Sequence, residues 1–212
     1  MRLSLSKAFW AIALFAGLAT PASAHPHVWV TSKAEVVYDK DQIAAIQHHW
    51  TFDEFYTAMA IQGLDTNNDG IYSREELAEL AKVNMDGLKE FDFFTYAKLA
   101  GKAVEFAAPV DQWLEHKDGI LTLHFKLPLK QPLAAGAKGF QFAVYDPSFF
   151  IAFELAKGDA ITLAGAPAGC KITVGQMEET PEEKTLTGAM TQQFGGSGTS
   201  STKAAQVTCT NS

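Results

Sequence analysis

Residues 27–39, HVWVTSKAEVVYD, alternate apolar and polar side chains and are rich in β-branched residues, the period-two signature of a half-buried strand. KDQ at 40–42 reads as a turn and IAAIQHHWTF at 43–52 resumes the strand pattern, so the two runs predict a β-hairpin. The period then changes. In DEFYTAMAIQGL, 53–64, Phe55, Met59 and Ile61 or Gln62 fall near helical spacing, and in SREELAELAKVNMDGLKEF, 73–91, Leu77, Leu80, Val83 and Leu88 form an apolar stripe. Ser73 with Glu76 three residues on is a capping box that starts the second helix.

After Phe94 the strand pattern returns. FTYAKLAGKAVEF reads as strand, Gly turn, strand, and WLEHKDGILTLHFKLPL carries the hairpin signal Asp118-Gly119. Leu121, Leu123, Phe125 and Leu127 alternate there against Thr122, His124, Lys126 and Pro128. KGFQFAVYD and FFIAFEL are two more strands, broken at Asp146-Pro147-Ser148, and AITLAG, CKITVG and QVTCTN follow. The pattern predicts a mainly β, α+β chain: an antiparallel β-sandwich with a two-helix insertion at about 53–91, between its second and third strands. Residues 176–205, acidic at first and then Gly/Ser/Thr-rich, predict a flexible loop within one domain spanning 25–212. Trp29, Trp50, Phe52, Phe149 and Phe150 are expected to pack in the core rather than to form a ligand-stacking wall.

The first 24 residues change the picture of where this domain works. Arg2 and Lys7 precede an uncharged apolar run, Ala8 to Ala19, and Ala22-Ser23-Ala24 is a small-x-small cleavage signal, so 1–24 is a secretory signal peptide with cleavage expected after Ala24. The run is short of the ~20 residues of a membrane helix, and no Cys follows the cleavage site to carry a lipid. The expected location is the periplasm, with no membrane-embedded segment after processing. The formal charge is −7, and it becomes more negative once Arg2 and Lys7 are removed, which argues against nucleic acid or anionic membrane surfaces as partners. In an oxidising compartment Cys170 and Cys209 are expected to form a disulfide. The other use of two thiols, a metal site, lacks close Cys spacing and nearby His.

The most specific motif is DTNNDGIYSREE, 65–76, which fits the Ca²⁺ loop of an EF-hand at every ligand position. Asp65, Asn67 and Asp69 take positions one, three and five, and Gly70 takes the sharp turn at six. Ile71 offers its carbonyl at seven, Ser73 acts through water at nine, and Glu76 supplies both oxygens at twelve. A structural clip is expected rather than a sensor, since EF-hands usually pair and one is present.

Signal cleavage also gives His25 a free α-amine beside its imidazole, and His27 follows on the same face of an extended chain. Such nitrogens suit Zn²⁺, Ni²⁺, Co²⁺ or Cu²⁺. Pro26 has no amide N–H, which blocks the amino-terminal copper/nickel chelate that uses the second residue's amide, so the site must borrow ligands from the folded domain. His49, Asp53 and Asp146 are the candidates. His48 faces away from His49 in a strand, and His48, His116 and His124 read as ordinary surface or core residues. The chain has no GxSxG, P-loop, Rossmann or HExxH pattern, and it is expected not to be an enzyme.

HPHVW, HWTFDEF, the D-x-N-x-D-G-x₅-E loop and AVYDPSFF together resemble the DUF1007 family over nearly all of residues 25–174. Those are exported bacterial proteins, often described as periplasmic components of an ABC-type transport system and linked by gene context with nickel/cobalt or zinc transport. The resemblance implies a role for His25, His27, Trp50, Asp53, Asp146 and the acidic loop. The expected function is a periplasmic accessory protein that binds Zn²⁺, Ni²⁺ or Co²⁺ for an inner-membrane transporter, with Ca²⁺ as a structural ion. Two other classes remain open: a Ca²⁺-dependent, non-catalytic interaction module for a membrane transporter, and an oxidoreductase using a copper brace at His25. The domain is shorter than a two-lobed solute receptor and lacks its βα alternation.

Overall fold

The alternation at the start of the chain becomes a hairpin of two long strands, β1 (Val28–Asp39) and β2 (Gln42–Phe52). They are joined through Lys40 and Asp41 at φ 47° and 60°. Two successive positive φ values match the right-handed twist of a hairpin. In this computed structural model the described residues are 26–148, 150–176 and 203–210. The expected signal peptide, His25, Phe149 and most of the expected loop at 176–205 lie outside them.

The two-helix insertion follows β2 as expected: α1 (Glu54–Ala60), α2 (Ala78–Leu88) and a 3-10 segment, Lys89–Phe94. The remaining strands are β3 (Thr95–Leu99), β4 (Lys102–Val104), β5 (Val110–Lys117), β6 (Ile120–Ala134), β7 (Phe140–Val144), β8 (Ile151–Leu155), β9 (Ile161–Ala164), β10 (Cys170–Gln176) and β11 (Lys203–Cys209). The six-stranded sheet runs β5-β6-β2-β1-β8, with β9 also on β1, and the five-stranded sheet runs β10-β11-β7-β3-β4. The described residues are thus mostly strand, with two sheets and two helices. The expected antiparallel pairing needs a correction, because β8 and β9 both run parallel to β1. The break at Asp146-Pro147-Ser148 is therefore a crossing between sheets: β7 belongs to one and β8 to the other.

One face of the six-stranded sheet is buried, and it is covered in two portions. Val30, Trp50, Phe52, Leu123 and Phe125 meet Leu77, Ala81 and Met85 of the insertion, together with Phe93 and Phe94. Farther along, Val36, Ile43 and Ile46 meet Phe140, Phe142, Ala205 and Val207 of the five-stranded sheet. The stripe of α2 differs from the expected one. Leu77, Ala81 and Met85 recur every four residues and are buried, whereas Val83 is 55% exposed. In α1 the expected apolar pair is turned outward, with Phe55 68% and Met59 53% exposed. The inward position is Thr57, whose Oγ1 accepts the Leu121 N–H at 3.1 Å. The buried backbone donor of β6 needs an acceptor, and that need outweighs the apolar spacing of α1. Of the aromatic set expected in the core, Trp50 and Phe52 are buried, while Trp29 and Phe150 are about half exposed.

Cys170 and Cys209 stand directly opposite each other on β10 and β11 and form the expected disulfide. It closes a long loop, so the Cys209→Ala variant is expected to lose about 3–4 kcal/mol. The check is a denaturant unfolding curve compared with that of the oxidised wild type.

Candidate cation sites

The loop between the helices closes on itself through side-chain acceptors. Asp65 Oδ1 accepts the Asp69 N–H at 3.1 Å and Oδ2 accepts the Gly70 N–H at 3.0 Å. Asn67 Oδ1 accepts the Asp69 N–H, and Asp69 Oδ1 accepts the Ile71 N–H. Gly70 turns the chain at φ +78°, a conformation open to Gly at no steric cost. Glu76 reaches back across the loop: Oε1 accepts the Thr66 N–H and hydroxyl, and Oε2 accepts the Ser73 N–H and hydroxyl. These bonds, the Ser73 N–H first, hold its carboxyl down at about 2. The Glu76 N–H returns to Ser73 Oγ at 3.3 Å, which completes the capping box.

At the head of β1, His27 is exposed and its ring stacks on Phe150 at 4.8 Å, while its N–H is fixed to the Phe150 carbonyl. Asp53 and Asp146 sit close by in the pairing, and each does local work. Asp53 caps α1 through the Tyr56 N–H and accepts the Trp29 N–H at 2.9 Å. Buried Asp146 shapes the inter-sheet crossing by accepting from Ser148 N–H and hydroxyl and from the Ile151 N–H. His49 is elsewhere: it pairs with Lys33, six residues along β1 from His27, which is about 20 Å of extended strand. Among the described residues no three His, Cys, Asp or Glu side chains gather to hold one metal ion.

The histidines outside the expected set hold three positions. His48 is fully buried between Trp50 and Phe125, with Nε2 3.3 Å from Thr95 Oγ1 and no partner for Nδ1. Desolvation, helped by the neighbouring His49, pushes it down to about 3. His116 is half-buried on β5 with its ring against Tyr72. His124 is not an isolated surface residue. Its Nδ1 lies 2.6 Å from His49 Nδ1, and burial lowers the pKa of both rings. The signal for His124 was its place among the polar positions of β6, but only the pairing of β6 with β2 brings it to His49.

Among the described residues, two sheets, two helices and a disulfide define a mainly β, α+β protein. The chain belongs to the family described as "Protein of unknown function (DUF1007)", whose model matches residues 10–209. It is 31% identical over 117 residues to an uncharacterized 15.5 kDa protein in the trpE 3' region of Spirochaeta aurantia, covering 52% of this chain and 74% of the relative. It is also 20% identical over 150 residues to an uncharacterized protein of Haemophilus influenzae, covering 70% of this chain and 71% of the relative.

A buried neutral imidazole makes stability depend on pH. His48 titrates near 6.5 when unfolded and near 3 when folded, so the unfolded state takes up the proton first. Its contribution is whole above about pH 6.5 and is lost as pH falls toward 3, by at most about 1.4 kcal/mol per pH unit. Urea midpoints at pH 7, 5.5 and 4 are expected to fall less steeply in His48→Leu than in wild type. Equal slopes would remove His48 as the cause.

Proposed function

We propose that the protein is an exported, non-catalytic accessory protein of divalent-metal handling, working in the periplasm beside an inner-membrane transporter. On this reading the two sheets form a sandwich and the helices an EF-hand-like insertion, with Ca²⁺ held in loop 65–76 as a structural ion. The observation that carries the Ca²⁺ reading is the loop itself. Asp65, Asn67, Asp69 and Glu76 already turn their oxygens inward onto N–H and O–H groups of the same loop, with Gly70 at the required turn. Oxygen donors of this kind fit Ca²⁺, completed by the Ile71 carbonyl and by Ser73. The ion has to displace hydrogen bonds the acceptors now make, which puts affinity in the weak range of extracellular modules, about 10⁻⁴–10⁻³ M.

A second reading, a Ca²⁺-dependent module that docks a membrane partner, is favoured by the exposed apolar positions of the insertion: Phe55, Met59, Ile71, Val83 and Phe91. Exposed apolar side chains mark a contact surface where they adjoin, and these five fall within residues 55–91 of the chain. The transition-metal part of the reading is supported by the exposed ring of His27 beside the expected mature terminus.

Two measurements test these readings. Ca²⁺ at about 10 mM is expected to raise the Tm of wild type by roughly 3–8 °C and to leave Glu76→Gln unmoved. No rise in wild type sinks the Ca²⁺ site. For the terminal chelate, Ni²⁺ titration of correctly processed protein is expected to show a site that His27→Ala weakens, and equal affinity in the two proteins removes it.

A further inference from the structure

The open face of the six-stranded sheet carries a cross-strand row that neither reading above uses. Lys33 of β1, His49 of β2, His124 of β6 and Trp113 of β5 stand side by side in register. The Nδ1 atoms of His49 and His124 are 2.6 Å apart, with their rings at 72° to each other. Two ring nitrogens therefore point at one spot, at a separation below the roughly 2.7–3.2 Å of an ordinary N–H···O bond. The geometry points to a site for a divalent transition-metal ion of the zinc class, held between His49 Nδ1 and His124 Nδ1, with its remaining positions open to water or an exogenous ligand.

Three features of the surroundings prepare the pair for that role. Glu115 Oε2 lies 3.6 Å from His124 Nε2, the far nitrogen of the ring. The carboxylate is just outside hydrogen-bonding reach of Nε2, which has no other partner, and its charge favours the ring proton on that nitrogen and leaves the Nδ1 lone pair to a metal. Trp113 stacks on His124 at 4.1 Å and 13°, and the Arg74 guanidinium covers Trp113 at 3.8 Å, so the ring cannot swing away. The hydroxyls of Thr51 and Thr122, paired at 3.1 Å in the next row of the same face, offer acceptors to a metal-bound water. Zn–N bonds of about 2.0–2.1 Å in tetrahedral geometry set two nitrogen ligands about 3.3 Å apart, so the pair has to open by only ~0.7 Å.

Imidazole nitrogens select a different ion from the oxygen donors of loop 65–76, and the pair is remote from His27 along the sheet. The site thus deepens the metal-handling reading, on which it rests for the choice of cargo, while its donors stand independently of both sites tested above. Two protein ligands with an open remainder make a position where an ion is accepted and passed on, whereas closed four-ligand sites retain theirs.

The test is titration of the correctly processed protein with Zn²⁺ alone at neutral pH, followed by calorimetry. Wild type is expected to bind one equivalent, His49→Gln and His124→Gln to lose it, and His27→Ala and Glu76→Gln to keep it. Glu115→Gln alters an exposed carboxylate that the fold does not need, and it is expected to weaken binding on the order of tenfold; it keeps the test decisive if a histidine variant fails to fold. Unchanged Zn²⁺ affinity in folded His124→Gln overturns the site. So does binding that disappears in His27→Ala alone, a result that would favour the terminal chelate instead. Failure of the Ca²⁺ reading would show in the Tm of wild type and leave these titrations as they are.

Discussion

The register of β1 against β2 decides which side of the protein each polar residue faces. Lys33 stands opposite His49, and the next pair, Ser32 with Trp50, points the other way. A slip of one residue would exchange the two faces, carrying His49 into the core and His48 out of it. What prevents the slip is the buried set of β2, Ile46, Trp50 and Phe52, which would leave the core together while Val30, Ala34 and Val36 of β1 stayed in it. The register holds the apolar core in place and, by the same act, lines up the imidazoles on the open face. Burial of His48 beside Trp50 is the cost of having adjacent histidines in a strand with one dry side.

The insertion and the sheet act as one mechanical unit at the edge strand β5. Two residues of the acidic loop reach it from opposite sides: Tyr72 packs on His116 at 4.7 Å, and Arg74 lies over Trp113 at 3.8 Å. An edge strand presents unpaired backbone groups, and flanking it with side chains is one way of guarding it. The order of loop 65–76 and the order of this sheet edge are therefore linked, and Trp113 extends the link to His124. Arg74, Trp113 and His124 stack in turn, so the loop braces the outer ring of the pair without supplying any of its nitrogen donors.

Local features could be read from the sequence, and distant pairings could not. The hairpin turns at Lys40-Asp41 and Asp118-Gly119, the place of the insertion, the Gly70 turn and the Cys170–Cys209 bond all depend on neighbouring residues or on two cysteines alone. The parallel pairing of β8 and β9 with β1 does not, because alternation reports that a strand is half-buried and is silent about its partner. The outward turn of Phe55 and Met59 escaped for a related reason: short α1 is placed by the demand of Leu121 for an acceptor, not by its own apolar face. His124 carried the signal of a polar strand position, and it gains its meaning only from a strand about 70 residues earlier in the chain.

The position of β1 also bears on the order in which the molecule assembles. One edge of β1 is filled at once by its hairpin partner, but the other waits for β8 and β9, which arrive about 120 residues later. Closing so long a loop costs entropy before any contact repays it. Until residues 150–164 are in place, β1 is a free edge of the sheet and its head has no Phe150 carbonyl to hold it. The first strand of the sheet is thus completed only by pairings of high sequence separation, the kind that slow folding.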